Sequence, residues 1–263
     1  MILSSVIIIL GELLEFTMLT SIFLALSFHL KLSRYWIIYA VILGITGAFL
    51  YAIFFDVISL WLDGFGQEVL NAMIQFCIYI CILVFCCIIF IANKKPCAKK
   101  YLQWPMILYV SLALTREGSE IFLYLSGVLS SEQAIMPVLT GSALGAGIGL
   151  SFGILIYYLF INLSYKKSLY SGYTLFLFIA AGMLSQAVRL LIQIDWLPAQ
   201  KIIWNTSSWL DESSVIGRLS YTLIGYEATP TLIEVQFHIA AVSGILIATA
   251  LSHHYSRNFS SGN

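Results

Sequence analysis

Long apolar stretches without charge recur along this chain. Residues 35–55, 69–93, 133–165 and 168–188 contain no Asp, Glu, Lys or Arg, and the stretch after Glu234 stays uncharged up to Arg257. Two further apolar runs are interrupted by ionisable residues. One opens the chain and holds Glu12 and Glu15; the other runs from Tyr101 to Ser131 and holds Arg116, Glu117 and Glu120. A helix crosses the hydrocarbon of a bilayer in about 20 residues. The pattern therefore predicts seven membrane-spanning helices, near 4–28, 36–55, 69–92, 105–128, 135–162, 173–194 and 234–252. The runs are continuous rather than alternating, which speaks against a transmembrane β-barrel. The first run has no basic leader and no A-x-A site behind it, so it reads as a retained helix rather than a cleaved signal.

Composition agrees with the pattern. Of the 263 residues, 60% are hydrophobic and 10% are charged, against roughly 45–50% and about 25% in soluble domains. That excludes a water-soluble globular domain, and it equally excludes a disordered chain. The 13 basic and 13 acidic residues cancel, so the electrostatic footprint of a nucleic-acid binder is missing.

Basic residues sort by loop. Lys31 and Arg34, then Lys94, Lys95, Lys99 and Lys100, then Lys166 and Lys167, and finally Arg257 fall in alternate connections and the tail. The intervening connections hold Asp56 and Asp63, then Glu132, then a long segment, 195–233, with Asp195, Asp211, Glu212 and Glu227 against Lys201 and Arg218. By the positive-inside rule the N-terminus is expected outside and the C-terminus inside. Cys77, Cys81, Cys86 and Cys87 lie in the third predicted helix and Cys97 in an inner loop, so disulfides are not expected. Cys77 and Cys81 share a helical face and suit either a soft metal or simple apolar packing.

Ionisable groups within a span are costly and are functional candidates by default. Here they form two matched sets, Gly11-Glu12-Leu13-Leu14-Glu15 and Arg116-Glu117-Gly118-Ser119-Glu120. In each set the acids are three residues apart, on one face and roughly 4.5 Å apart along the axis. Four clustered carboxylates repel one another. Arg116 offsets part of that charge, and Arg189 either adds to this or snorkels to the outer interface; the remainder calls for protons or a hard cation such as iron, calcium, magnesium or manganese. An inert ion-pair network and a proton relay are the alternatives. H-E-x-x-H, the signature of intramembrane zinc proteases, is absent from the sequence, and an enzyme is not expected.

The two sets lie three helices apart and so run antiparallel. This is the signature of an inverted repeat with a site at the repeat interface: repeat one about 1–93, repeat two about 101–194, an outer loop 195–233 and a seventh helix 234–252, all in one transmembrane transport domain. Gly141, Gly145, Gly149 and Gly153 form a stripe for close helix approach, and Gly44 and Gly47 a shorter one. Glu68 opens the third helix beside Gln67 and Asn71, as a recruiting ligand or a partner of the helix dipole. Residues 214–224 suit a short surface helix, Thr229-Pro230 a helix start, and His238 a packing residue.

The paired acidic motifs resemble those of the iron permeases, the oxidase-dependent iron transporters of fungi and bacteria. Their hallmark is an R-E-x-x-E motif in the first and fourth helices. The second is intact here at Arg116-Glu117-Gly118-Ser119-Glu120, whereas Gly11 replaces the arginine of the first. The segments 66–72, 145–149, 181–187 and 225–231 also look like the bacterial form of the family. The resemblance implies iron import across the cytoplasmic (inner) membrane of a prokaryote. It implies Glu12, Glu15, Glu117 and Glu120 as ligands, with Arg116 setting their geometry and charge; Glu68 and Arg189, by their positions, are expected as supporting residues. It implies no cofactor beyond the transported ion, and an external iron oxidase or iron-binding protein as partner.

Overall fold

The computed structural model describes residues 2–92, 96–130, 135–198, 200–212 and 214–258. Lys94, Lys95 and Glu132 lie outside the described residues, and of Cys97, Arg218 and Arg257 only the backbone is described. The long helices are α1 (Ile2–His29), α2 (Tyr35–Ile53), α4 (Gly66–Ala92), α5 (Gln103–Ser130), α6 (Ile135–Asn162), α7 (Tyr165–Gln193) and α9 (Leu232–Asn258). Two short ones join them, α3 (Phe55–Leu60) and α8 (Val215–Ile224). Among the described residues the only β pairing is an isolated bridge between Ile202 and Thr231.

Six helices, α1, α2, α4, α6, α7 and α9, are long and apolar enough to cross a membrane. The remaining predicted span, the fourth in chain order, is α5; it is 28 residues long but carries Arg116, Glu117 and Glu120, which sets it apart by composition. Large apolar side chains cover the periphery: Ile38, Ile42 and Ile45 on α2 and Ile148, Ile154 and Leu155 on α6 are exposed. An apolar exterior of this extent suits a lipid surround and not water.

The core is built from α1, α4, α5 and α7, where Leu19, Ile22, Phe23, Ile78, Ile82, Phe85, Tyr109 and Phe176 are enclosed. Gln75 of α4 donates to Gln186 of α7 at 2.7 Å within it. Two further pairings flank this core, α1 on α6 and α2 on α5, and in both a glycine face meets an acidic helix. A Cβ at Gly145 would stand 2.7 Å from the Val6 carbonyl oxygen, and one at Gly149 would stand 2.9 Å from Leu13 Cβ. On the other side, a Cβ at Gly44 would lie 2.7 Å from Leu114 Cβ, and one at Gly47 would overlap Thr115. The missing side chains let the backbones approach, as in small-residue interfaces of membrane helices.

One end of the bundle gathers the basic connections. His29 contacts the Phe160 carbonyl at 3.2 Å, and Gln103 donates to the Ser33 carbonyl at 3.4 Å. The ends of α1, α5 and α6 therefore meet there, with Lys31, Arg34, Lys99, Lys100, Lys166 and Lys167 in or beside the connections. It is the basic end of the bundle.

Several boundaries differ from the sequence expectation. The sixth predicted span, α7, begins at Tyr165, eight residues before the expected 173, because the helix continues through a polar first turn that hydropathy does not mark, with the Ser168 amide donating to the Ser164 carbonyl at 2.9 Å. The last begins at Leu232, after Pro230: Thr231 and Glu234 form a capping box, in which the Thr231 amide donates to Glu234 Oε2 at 2.6 Å. The 195–233 segment is not simply an external loop. Its helix α8, with Ser214 as N-cap and Gly225 in the left-handed region at φ 64°, packs on α7 and α1 and keeps Ile216 and Ile224 exposed. Gly182 and Gly225 make this entry possible, since a Cβ on Gly182 would stand 2.9 Å from Gly225 Cα. Gly182 is eleven residues before the end of α7, so this connection reaches about 16 Å down the helix.

Candidate metal centre

The two acidic helices meet. α1 and α5 pack against each other, and Glu12, Glu117 and Glu120 each bring a carboxylate oxygen within 4.8 Å of the other two. Oxygens on opposite sides of one hard cation, bound at about 2.0–2.4 Å, are about 4–5 Å apart, so the triangle is the right size for a single ion. Glu117 is 2% exposed. Its Oε1 faces Arg116 and its Oε2 is enclosed with no hydrogen-bond partner. A buried carboxylate oxygen left in this state is unfavourable. The Glu12 carboxyl comes within hydrogen-bonding reach of Glu117, but two ionised carboxylates are both acceptors, so that contact is a hydrogen bond only when the two acids share a proton.

Glu15 is placed differently. Its Oε2 is 3.3 Å from Arg116 Nη1, and it is not one of the three converging carboxylates. The same guanidinium nitrogen is 3.0 Å from Glu117 Oε1, and Arg116 Nε is 3.6 Å from Glu120 Oε1. Arg116 therefore touches three of the four motif glutamates. The side chain of Glu120 is 37% exposed, which makes it the open edge of the cluster.

Arg189 does not join this group. It stands among Glu212, Glu227 and Glu234, with closest approaches of 4.0, 2.6 and 3.4 Å. It thus anchors the 195–233 segment and the start of α9 to α7, which replaces both the neutralising and the snorkelling expectation. Burial pushes the Glu227 carboxyl up to about 7, with Arg189 acting in the opposite direction. Tyr221 of α8 is within electrostatic reach of Glu15 on one side and Arg189 on the other, and burial pushes its phenol well above the ordinary value. It is a neutral spacer between the two charged groups.

Glu68 sits in the first turn of α4, with Oε2 enclosed and lacking a hydrogen-bond partner. It is outside the carboxylate triangle, but Tyr51 of α2 lies within electrostatic reach of both Glu68 and Glu120. His238 contacts Ser185 Oγ at 3.2 Å. Cys77 is exposed and Cys81 buried, so the two thiols do not share one environment. Sequence reasoning did not single out Tyr51, Tyr109 or Tyr221, because a tyrosine in an apolar helix carries no motif. Nor did it connect Arg189 with Glu227 and Glu234, although Thr231 and Glu234 show the T-x-x-E spacing of a helix start.

The chain is 31% identical over 150 residues to a protein of Shigella flexneri serotype 5b named ferrous iron permease EfeU, an overlap of 56% of this chain and 63% of the relative. Proteins of the same name from Shigella sonnei and Escherichia coli are 30% and 29% identical over 150 residues, 56% of this chain and 54% of each relative. The chain thus spans between about half and two thirds of the length of these relatives. No solved structure matches it. Residues 2–252 match the model of the iron permease FTR1 family. With that match over nearly its whole length, the chain belongs to the iron permease FTR1 family.

Proposed function

We propose that this chain imports iron, as Fe2+, across the cytoplasmic membrane of a prokaryote through a site made by Glu12, Glu117 and Glu120. The observation that carries this reading is the convergence of three carboxylates, one with an unpartnered buried oxygen, on two acidic helices. Glu15 holds Arg116, and Arg116 in turn sets the charge and orientation of Glu117 and Glu120. Glu68 is a recruiting ligand on the approach to Glu120. The ferrous state is taken from the names of the relatives.

In this reading α5 also spans the membrane, making seven spans in all, its three charges tolerated because Arg116 and the glutamates satisfy one another inside the bundle. The N-terminus is outside and the basic end faces the cytoplasm. The chain is an inverted repeat, α1, α2 and α4 against α5, α6 and α7. The helix pairings support this. Exchanging the repeats turns α1 on α6 into α5 on α2, and leaves α4 on α7 unchanged. An external iron-binding protein would deliver Fe2+; delivery by an external oxidase would instead supply Fe3+.

The test is uptake by purified protein in proteoliposomes, with Fe2+, Mn2+ and Ca2+ at two pH values. Iron should enter, and Glu12→Ala and Glu117→Ala should each abolish entry. Normal uptake by both variants refutes the site. Preference for another divalent ion, or proton flux without metal, would replace iron import by the corresponding alternative.

A further inference from the structure

The carboxylate cluster is open on one side and closed on the other. Glu120 is partly exposed, whereas the route toward the basic end is filled by four rings, each from a different helix. Phe23 of α1 is central. Its ring centroid is 4.7 Å from Phe85 of α4 (edge-on), 4.8 Å from Phe176 of α7 (stacked) and 5.1 Å from Tyr109 of α5 (tilted). Phe85 and Phe176 close the group edge-to-face at 5.5 Å. All four side chains are at most 1% exposed.

Helix geometry places the rings relative to the acids. Phe23 follows Glu12 by eleven residues, three turns on the same face and about 16 Å along α1; Tyr109 precedes Arg116 by seven, two turns on the same face and about 10 Å along α5. Both displacements are toward the basic end. The rings therefore form a layer between the acids and that end of the bundle.

One member of the layer does not fit a purely apolar plug. The Tyr109 hydroxyl is completely enclosed and has no hydrogen-bond partner, although a phenylalanine would fill the same space without that penalty. It lies within electrostatic reach of Glu117 and Glu15. A neutral oxygen two turns below the carboxylates can coordinate a hard cation, and because it is uncharged it would hold the ion only weakly.

We propose that the Phe23, Phe85 and Phe176 rings are the barrier on the basic side of the carboxylate site, and that Tyr109 is the transfer residue whose hydroxyl accepts a divalent cation from Glu117 as that barrier parts. This rests on the transport reading above and adds its exit step. Tyr109 moves the ion onward and does not set its resting affinity.

Tyr109→Phe keeps the ring and removes the oxygen, so it separates the two roles. Purified wild type and variant are compared by equilibrium Mn2+ binding in detergent and by Mn2+ and Fe2+ uptake into proteoliposomes. Binding should stay within about twofold of wild type, while the uptake rate falls at least tenfold. Uptake at the wild-type rate overturns the transfer role; so does a large loss of binding, which would make Tyr109 part of the resting site. For the barrier, vesicles preloaded with Mn2+ are followed for passive efflux. Phe176→Ala and the milder Phe176→Leu should raise efflux at least tenfold in protein that still elutes as a single species. Unchanged efflux from the correctly folded Phe176→Leu variant overturns the barrier. A wild type that moves no metal, with Glu117→Ala behaving identically, takes down the transport reading itself. A transporting wild type matched by Tyr109→Phe takes down only this step.

Discussion

Replacing Arg116 by methionine tests the electrostatics of the carboxylate cluster directly. The guanidinium touches Glu15, Glu117 and Glu120 at 3.3, 3.0 and 3.6 Å and is the one basic side chain in contact with them among the described residues. Methionine keeps much of the apolar stem and removes the charge. Without a metal the variant is left with buried like charges, and breaking a buried pair in this way costs about 3–5 kcal/mol. With a metal the sign reverses. A divalent ion in the triangle lies about 5 Å from the guanidinium, and at an effective dielectric of about 20 the repulsion it feels is about 7 kcal/mol. Even one fifth of that, about 1.4 kcal/mol, is a tenfold gain in affinity. The expected result is lower thermal stability without metal, a larger stabilisation by added Mn2+ than in wild type, tighter Mn2+ binding and slower transport because release slows. Thermal unfolding in detergent across a Mn2+ series, together with equilibrium binding, measures all of these except the rate. If Arg116→Met binds Mn2+ no more tightly and gains no extra stabilisation from it, the guanidinium does not compete with the ion and the reasoning fails.

Other expectations follow from the same geometry. Gly11→Arg restores the family arginine and adds a positive charge next to Glu12; Mn2+ affinity should fall by up to about tenfold (~1.4 kcal/mol), and a large gain on titration would contradict the charge balance. Gly145→Val places a Cβ 2.7 Å from the Val6 carbonyl oxygen. Overpacking of this kind costs about 1–3 kcal/mol, so the melting temperature should drop and Fe2+ uptake should fall as α1 is pushed away; wild-type values for both would show that the stripe tolerates bulk. The Glu227 carboxyl sits at about 7, above its ordinary 4.5. A raised carboxyl contributes stability that is complete below the unfolded value and is lost as pH rises through the folded one. Wild type should therefore lose melting temperature between pH 5 and pH 8, and Glu227→Gln should show a flatter profile; parallel profiles would refute the assignment.

The membrane-scale features were legible because each is a property of long stretches. Charge-free runs marked α2, α4, α6, α7 and α9, and the spacing of Glu12 and Glu15 with that of Glu117 and Glu120 put acids on facing helices. What remained hidden depends on side-chain direction and on contacts between distant segments. Spacing alone treats Glu12 and Glu15 as equivalent, but only the packed bundle turns Glu15 to Arg116 while Glu12 approaches Glu117. Arg189 could not be assigned, because its partners Glu212 and Glu227 come from a connection whose path depends on the close approach of Gly182 and Gly225. The enclosed hydroxyl of Tyr109 is likewise a fact of packing. Its helix would have the same hydrophobic pattern with phenylalanine in its place.

The glycine-faced pairings divide the acids between two stiff units. Glu12 rides on the α1–α6 pair, while Glu117 and Glu120 ride on the α2–α5 pair. An ion bound by all three would act as a rivet across the seam between those units. Loading it would pull the slabs together, and spreading them by even an ångström or two would strip a ligand from the ion. Affinity and shape would then be a single variable: the protein could not change one without changing the other.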